Sequence, residues 1–346
     1  ALCVTLAGPL QSAPELWAPA LKVRMLIPAF TAMGLMVCRK SYTIGSKIVV
    51  FFIIYLTATI LPLALTLAGG KTVGKIVQIA LGTMAIVYIA SLHLNKARRE
   101  AATEAGVLFE RGLLNFLVLL VGYAVLLGIS FWLNRVFGFS ENGSLTSFKG
   151  LLISFPVLLL HIITYAWIVY FGEEYGWRYY LQTRLGQLFG IRKALLLVGF
   201  IWGLWHAPVI AMGYNYPGHP ILGIFTMICF CMVMGILFGY AALRTGGIWA
   251  PVLLHGVTNT MGPRFLAFFG QPGDSIFSFG LGLYGIAIFS IPAGLIFFFL
   301  IGKGKTAYNY AITQQNSRAC FHADALKKSP VFKSQELFLQ GRSIKE

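Results

Sequence analysis

The stretch LLISFPVLLLHIITYAWIVYFGEEYGWRYYLQ, residues 151–182, supplies the roughly 20 apolar residues that a membrane crossing needs, then meets two adjacent carboxylates, Glu173 and Glu174. An acid at membrane depth is costly and normally faces a cavity or a partner. The stretch therefore raises two linked questions: whether the chain spans a membrane, and what the paired acids do there.

Composition answers the first. The 346 residues are 58% hydrophobic and 11% charged, with a mean hydropathy of +0.77, far from the balance of a soluble domain. The expected class is all-α, a polytopic membrane bundle of about eight or nine spans. Apolar runs place them near 47–69, 73–94, 113–134, 150–172, 194–212, 220–243, 248–265 and 276–301. A run near 16–38 is interrupted by Lys22, Arg24 and Pro28. Three parts are expected: transmembrane helices in 1–149, a core in 150–302 that holds the paired acids, and a basic, flexible cytoplasmic tail in 303–346 suited to an anionic leaflet. The first residue is Ala1, which points to processing or to an upstream start; no secretory signal pattern is visible.

The formal charge of +16 belongs to topology. Basic residues sit in short loops and the tail, with no basic domain to hold a duplex, so nucleic acid is excluded as a partner. Lys and Arg concentrate in loops 39–47, 95–112 and 173–193, and the positive-inside rule puts these and the C-terminus in the cytoplasm. With nine spans the N-terminus lies outside. A plasma membrane is expected, bacterial because no eukaryotic retention signal is present. The loop NKARREAATEAGVLFERG, 95–112, is expected to form a short surface helix, and RLGQLFGIRKA, 184–194, an interfacial elbow. Cys3, Cys38, Cys229, Cys231 and Cys320 are scattered and suggest neither a disulfide framework nor a zinc knuckle.

Between Glu141 and Asp274 the only acids are Glu173 and Glu174. On a continuing helix Glu174 meets Arg178 four residues on, which leaves Glu173 on another side for chemistry. The next span holds FIWGLWHAP, where Pro208 should kink the helix at His206. Further on, APVLLHGVTNT places His255 and Asn259 on one helical face, with Pro251 in the first turn. Each feature has a plainer explanation: an interfacial acid pair, packing histidines, interhelical glue. His161 is assigned to packing, and His93, His219 and His322 to loops or interfaces. The combination on three nearby, otherwise nearly uncharged spans points further. A carboxylate and a histidine activate water, while a second histidine and an amide suit an oxyanion. That is amide or ester hydrolysis without a covalent intermediate, since no Gly-x-Ser-x-Gly elbow is present and no cysteine adjoins a histidine. Glu173, His206 and His255 also fit a zinc triad, a second reading that lacks His-Glu-x-x-His and leaves Asn259 without a role.

EEYGWR at 173–178, WGLWHAP at 202–208 and HGVTN at 255–259 resemble, in order, the three motifs of the CAAX protease and bacteriocin-processing family, also called CPBP or Abi, to which the CAAX prenyl endopeptidases belong. The resemblance covers about residues 150–270. It implies a glutamate-type intramembrane endopeptidase with no cofactor beyond a catalytic water. Glu173 and His206 would activate the water, His255 and Asn259 form the oxyanion site, and Glu174 and Arg178 support it. Trp202 stands where the family usually has Phe, which leaves pocket width open. The implied partners are a peptide or lipidated protein substrate and membrane lipids. Prenylated CAAX termini, leader peptides and signalling peptides all remain open. So do a noncatalytic scaffold or immunity protein and a proton-relaying transporter.

Overall fold

A computed structural model describes residues 14–38, 46–94, 96–108, 113–141, 148–278 and 280–301. The proposed tail, Cys3, Cys320 and His322 lie outside the described residues. Helix α1 is Pro14–Cys38, α2 Lys47–Leu67, α3 Lys71–Leu92, α4 Lys96–Glu104 and α5 Leu113–Val136. Next come α6 over 148–189, α7 Ile191–Trp205, the short α8 Ala207–Ala211, α9 Pro220–Thr245, α10 Trp249–Phe269 and α11 Leu283–Leu295, which ends in a π-turn to Leu300. A two-residue strand, Ser140–Glu141, pairs antiparallel with Gln271–Pro272. Among the described residues, eight helices are long and apolar enough to cross a membrane. They carry exposed Ile60, Val87, Leu114, Phe225 and Phe298 on their outer faces, as lipid contact requires. The chain is an integral membrane protein with an all-α helical bundle. Despite Lys22, Arg24 and Pro28, Pro19–Cys38 qualifies as a span, whereas α10 is not among the eight. That helix carries His255, Thr258, Asn259, Thr260 and Arg264 and buries most of its first half inside the bundle.

Local signals set the ends. Ser46 caps α2 by accepting from Val49 N–H at 3.3 Å. Gly246, at φ 74°, closes α9 in the left-handed region. Two expected boundaries move. The span expected to stop at 172 continues to Phe189, through π-turns at Ile162–Ala166 and Tyr175–Leu181. Internal partners for its acids remove the reason to end there. The last span starts at Leu283 rather than 276 because Asp274 Oδ1 accepts from Ile276 and Phe277 N–H at 2.6 and 3.3 Å and turns the chain. The short helix in 95–112 is present as α4, but the segment after it is buried rather than lying on the surface. Trp249 Nε1–H donates to Val107 O at 2.6 Å and Ile248 N–H to Gly106 O at 2.9 Å. At the expected elbow, Gly190 (φ 79°) reverses the chain between α6 and α7.

The interior between α1, α2 and α6 is aromatic: Phe51, Tyr55, Phe171 and Trp167 pack edge-on or tilted, and Tyr55 O–H donates to Ile168 O at 2.7 Å. This cluster fixes α6 along its length. Helices α7 and α9 meet more closely, because a Cβ on Gly199 or Gly203 would sit 2.5 Å from Met232 or Ile228 Cα. Small residues at such crossings let helix backbones touch in an apolar medium.

Candidate active site

Glu173, Glu174 and Arg178 come from α6, Trp202 from α7, His206 from its end, and His255 and Asn259 from α10. The two glutamates are buried but differently engaged. Glu174 Oε1 lies 2.7 Å from His255 Nδ1, and its Oε2 lies 3.2 Å from Arg178 Nε. The arginine contact is ionic, without hydrogen-bond alignment. The guanidinium carbon stands 4.2 Å from the Trp202 ring centre and 5.4 Å from that of Phe238, an aromatic surround that suits a weakly hydrated cation. The π-turn Tyr175–Leu181 lies between the acid and its arginine; such wide turns recur at functional sites.

Glu173 instead borders a cavity of about 150 Å³, lined also by Trp202, His206, His255 and Asn259. Its Oε2 accepts from Trp202 Nε1–H at 2.8 Å. The same tryptophan holds His206, whose Nδ1 lies 2.8 Å from Trp202 O. A carbonyl can only accept, so Nδ1 carries a proton, and in the neutral ring Nε2 is then the basic nitrogen. The expected break at His206 is present: α7 ends at Trp205, and Pro208 sits in the first turn of α8. The indole at position 202 therefore contributes a polar tether, which a phenyl ring would lack.

His255 is aligned from three sides. Glu174 takes its Nδ1 edge, Tyr170 stacks on its ring at 5.2 Å, and Trp202 approaches edge-on at 5.6 Å. With Nδ1 donating to Glu174, protonation places a second donor at Nε2. Asn259, one turn on, lines the same cavity. Among the described residues no three His, Cys, Asp or Glu side chains converge as metal ligands would, so the triad Glu173, His206 and His255 does not form a ligand set in this arrangement. His161 packs against Tyr165 with ring centres 5.2 Å apart, and His93 Nδ1 lies 3.1 Å from Ile89 O.

The polar lining extends beyond the motif set and includes Arg24 of α1, and Tyr214 and Asn215 of the 212–219 loop. Arg24 had a signal, a charge inside an apolar run, which reads equally as an interruption of the span. Tyr214 and Asn215 had none, because a loop polar residue is ordinary. Burial pushes the Tyr214 phenol up to about 12, with Arg24 opposing the rise and Glu173 adding to it, so it stands in the cavity as a neutral O–H donor.

Residues 155–261 match the family model described as type II CAAX prenyl endopeptidase, Rce1-like. A CAAX prenyl protease 2 of Methanococcus maripaludis is 29% identical over 183 residues, covering 49% of this chain and 62% of the relative. The chain thus spans about three-fifths of that relative's length. The matched segment contains every motif residue gathered around Trp202 and the Glu174–His255 pair. By that match and that arrangement, the segment that holds the site is similar to the CAAX protease family.

Proposed function

We propose that the chain is an intramembrane endopeptidase in which Glu173 and His206 activate water. The observation that supports it most is the division between the acids: Glu174 is engaged by His255 and Arg178, while Glu173 borders the cavity beside a histidine with a free Nε2. In this reading Glu173 takes a proton from water oriented by His206, and the water oxygen bonds to the peptide carbonyl carbon. The carbonyl oxygen becomes an oxyanion and receives hydrogen bonds from the Asn259 amide and from protonated His255 Nε2. When the C–N bond breaks, Glu173 returns the proton to the leaving nitrogen, yielding an acid and an amine. No metal or covalent intermediate enters the scheme.

The relative's name, CAAX prenyl protease 2, directs the choice of substrate to C-terminal peptides, prenylated or plain. We place the catalytic side toward the cytoplasm of a plasma membrane, a choice that the basic residues of 39–47 and 95–112 support. The test is cleavage of quenched peptides, with and without the lipid, by purified protein in the presence and absence of a chelator. Cleavage that survives chelation and is lost in Glu173→Gln and His206→Ala is expected. Loss on chelation would replace this scheme with a metal mechanism, and unchanged turnover by Glu173→Gln would remove it.

A further inference from the structure

The cavity has a second polar region that water activation leaves unused. Arg24 reaches it from α1, whose backbone rests on α6 across Gly172 and Gly176. A Cβ on Gly172 would stand 2.6 Å from Met25 O, and one on Gly176 would collide with Pro28. These contacts on either side of Glu173 bring α1 to the site. Arg24 Nε and Nη2 are buried with no hydrogen-bond partner among the described residues, and the guanidinium carbon lies 5.5 Å from the Trp205 ring centre. Glu173 and Tyr214 act on it electrostatically. Its neighbour in the lining, Asn215, also has a buried Oδ1 without a partner and sits at φ 64°, the left-handed region that Asn tolerates better than most residues.

Arg24 as a whole is half-buried, but two shielded guanidinium N–H groups without an acceptor are unfavourable unless a ligand supplies one. The remaining lining is largely apolar, with Met227, Phe230, Met234 and Phe289. Resting on the peptidase reading, we propose that Arg24 is the receptor for a carboxylate of the substrate, and that it positions the peptide with that group at the Arg24 end and apolar side chains against the methionines and phenylalanines. The planar guanidinium fork matches a carboxylate with paired N–H donors. The Tyr214 hydroxyl adds a donor, and the Asn215 carbonyl suits a peptide N–H. The carboxylate has two sources in a peptide, its C-terminus and an acidic side chain.

The test uses one peptide sequence in three forms: free acid, C-terminal amide, and amide with one Glu introduced. Binding is measured on Glu173→Gln protein, where turnover does not interfere, with and without Arg24→Gln. Turnover is measured on wild type, Arg24→Gln and Arg24→Lys. The free acid should bind about 10- to 100-fold tighter than the amide, the span of a hydrogen bond to a charged group. Arg24→Gln should abolish the difference and act through KM more than kcat, and Arg24→Lys should restore part of it. Rescue of amide binding by the introduced Glu would assign the carboxylate to a side chain; without rescue it belongs to the terminus. Equal binding of all forms, or an equal loss on all of them in Arg24→Gln, overturns the proposal. If Arg24→Gln does not fold, the wild-type comparison of acid with amide decides. Glu173-dependent cleavage without a carboxylate preference would leave the peptidase standing and remove the role of Arg24. Carboxylate-selective binding without cleavage would do the opposite.

Discussion

Glu173 and Glu174 are neighbours in sequence yet belong to two regions of the molecule. The side of α6 that carries Glu174 is closed: an arginine, a histidine and the rings of Tyr170, Trp202 and Phe238 leave the carboxylate no exposed surface. The side that carries Glu173 opens to a cavity and gives the acid one tethering donor. In the proposed scheme the same functional group thereby serves once as a structural anion and once as a base. A carboxylate enclosed by partners has no room for a water, whereas one that borders a cavity can meet one there.

The largest effects should fall on opposite observables. Glu173→Gln can keep the Trp202 contact through its amide oxygen but cannot act as a base, so turnover should drop by roughly 10²- to 10⁴-fold with little change in melting temperature in detergent. A marked loss of stability with activity retained would reverse the assignment and favour a scaffold. Glu174→Gln leaves Arg178 without its counterion in a closed region, and breaking a buried pair from one side costs about 3–5 kcal/mol. Denaturation should show that loss first, and lost turnover should accompany the misplacement of His255. A Glu174→Gln protein as stable as wild type would mean that the pair contributes little and that the two acids differ less than their surroundings suggest.

What the sequence made legible follows the same division. The helices and the acid–arginine spacing were readable because they are local: apolar length, four-residue periodicity and Pro208 act within a single element. The link between Glu174 and His255 joins residues 81 apart, and no local pattern specifies which of two adjacent acids takes it. The expectation that Glu174 would pair with Arg178 was right in geometry but omitted the histidine. Trp202 was read as a question of pocket width, because its indole N–H matters only once Glu173 lies opposite. Arg24 was hardest to read, since the glycines that bring it to the cavity lie on α6 while the charge lies on α1. The boundary error at residue 172 had a related cause: charge normally ends a span, but here tertiary partners let the helix continue.

Trp202 connects the two regions, with its indole N–H on Glu173, its carbonyl on His206, and its ring over Arg178 and against His255. Trp202→Phe removes only the N–H while keeping an aromatic ring. The lost charge-assisted bond should lower kcat/KM by about 10- to 100-fold, with the effect concentrated in kcat if the tether orients Glu173. His206 should be spared, because its contact is to the backbone. Unchanged turnover would show that a phenyl ring and the indole are equivalent at this position, and that burial alone holds Glu173.

The smallest expected effect tests the closed side. Tyr170 stacks on His255, and its hydroxyl lies 3.1 Å from Thr260 Oγ1. Tyr170→Phe keeps the stack and deletes one neutral hydrogen bond, so stability should fall by about 0.5–1.5 kcal/mol with kcat/KM nearly unchanged. Tyr170→Leu removes the stack as well and should lower turnover, because His255 then relies on Glu174 and Trp202 for its orientation. If the phenylalanine variant loses turnover as strongly as the leucine variant, the Thr260 contact sets the ring angle. The closed region would then act on the reaction through Tyr170 as well as through the ion pair. If neither variant affects turnover, the Glu174–His255 contact suffices to orient the imidazole, and the separation between a structural acid and a reactive acid becomes sharper still.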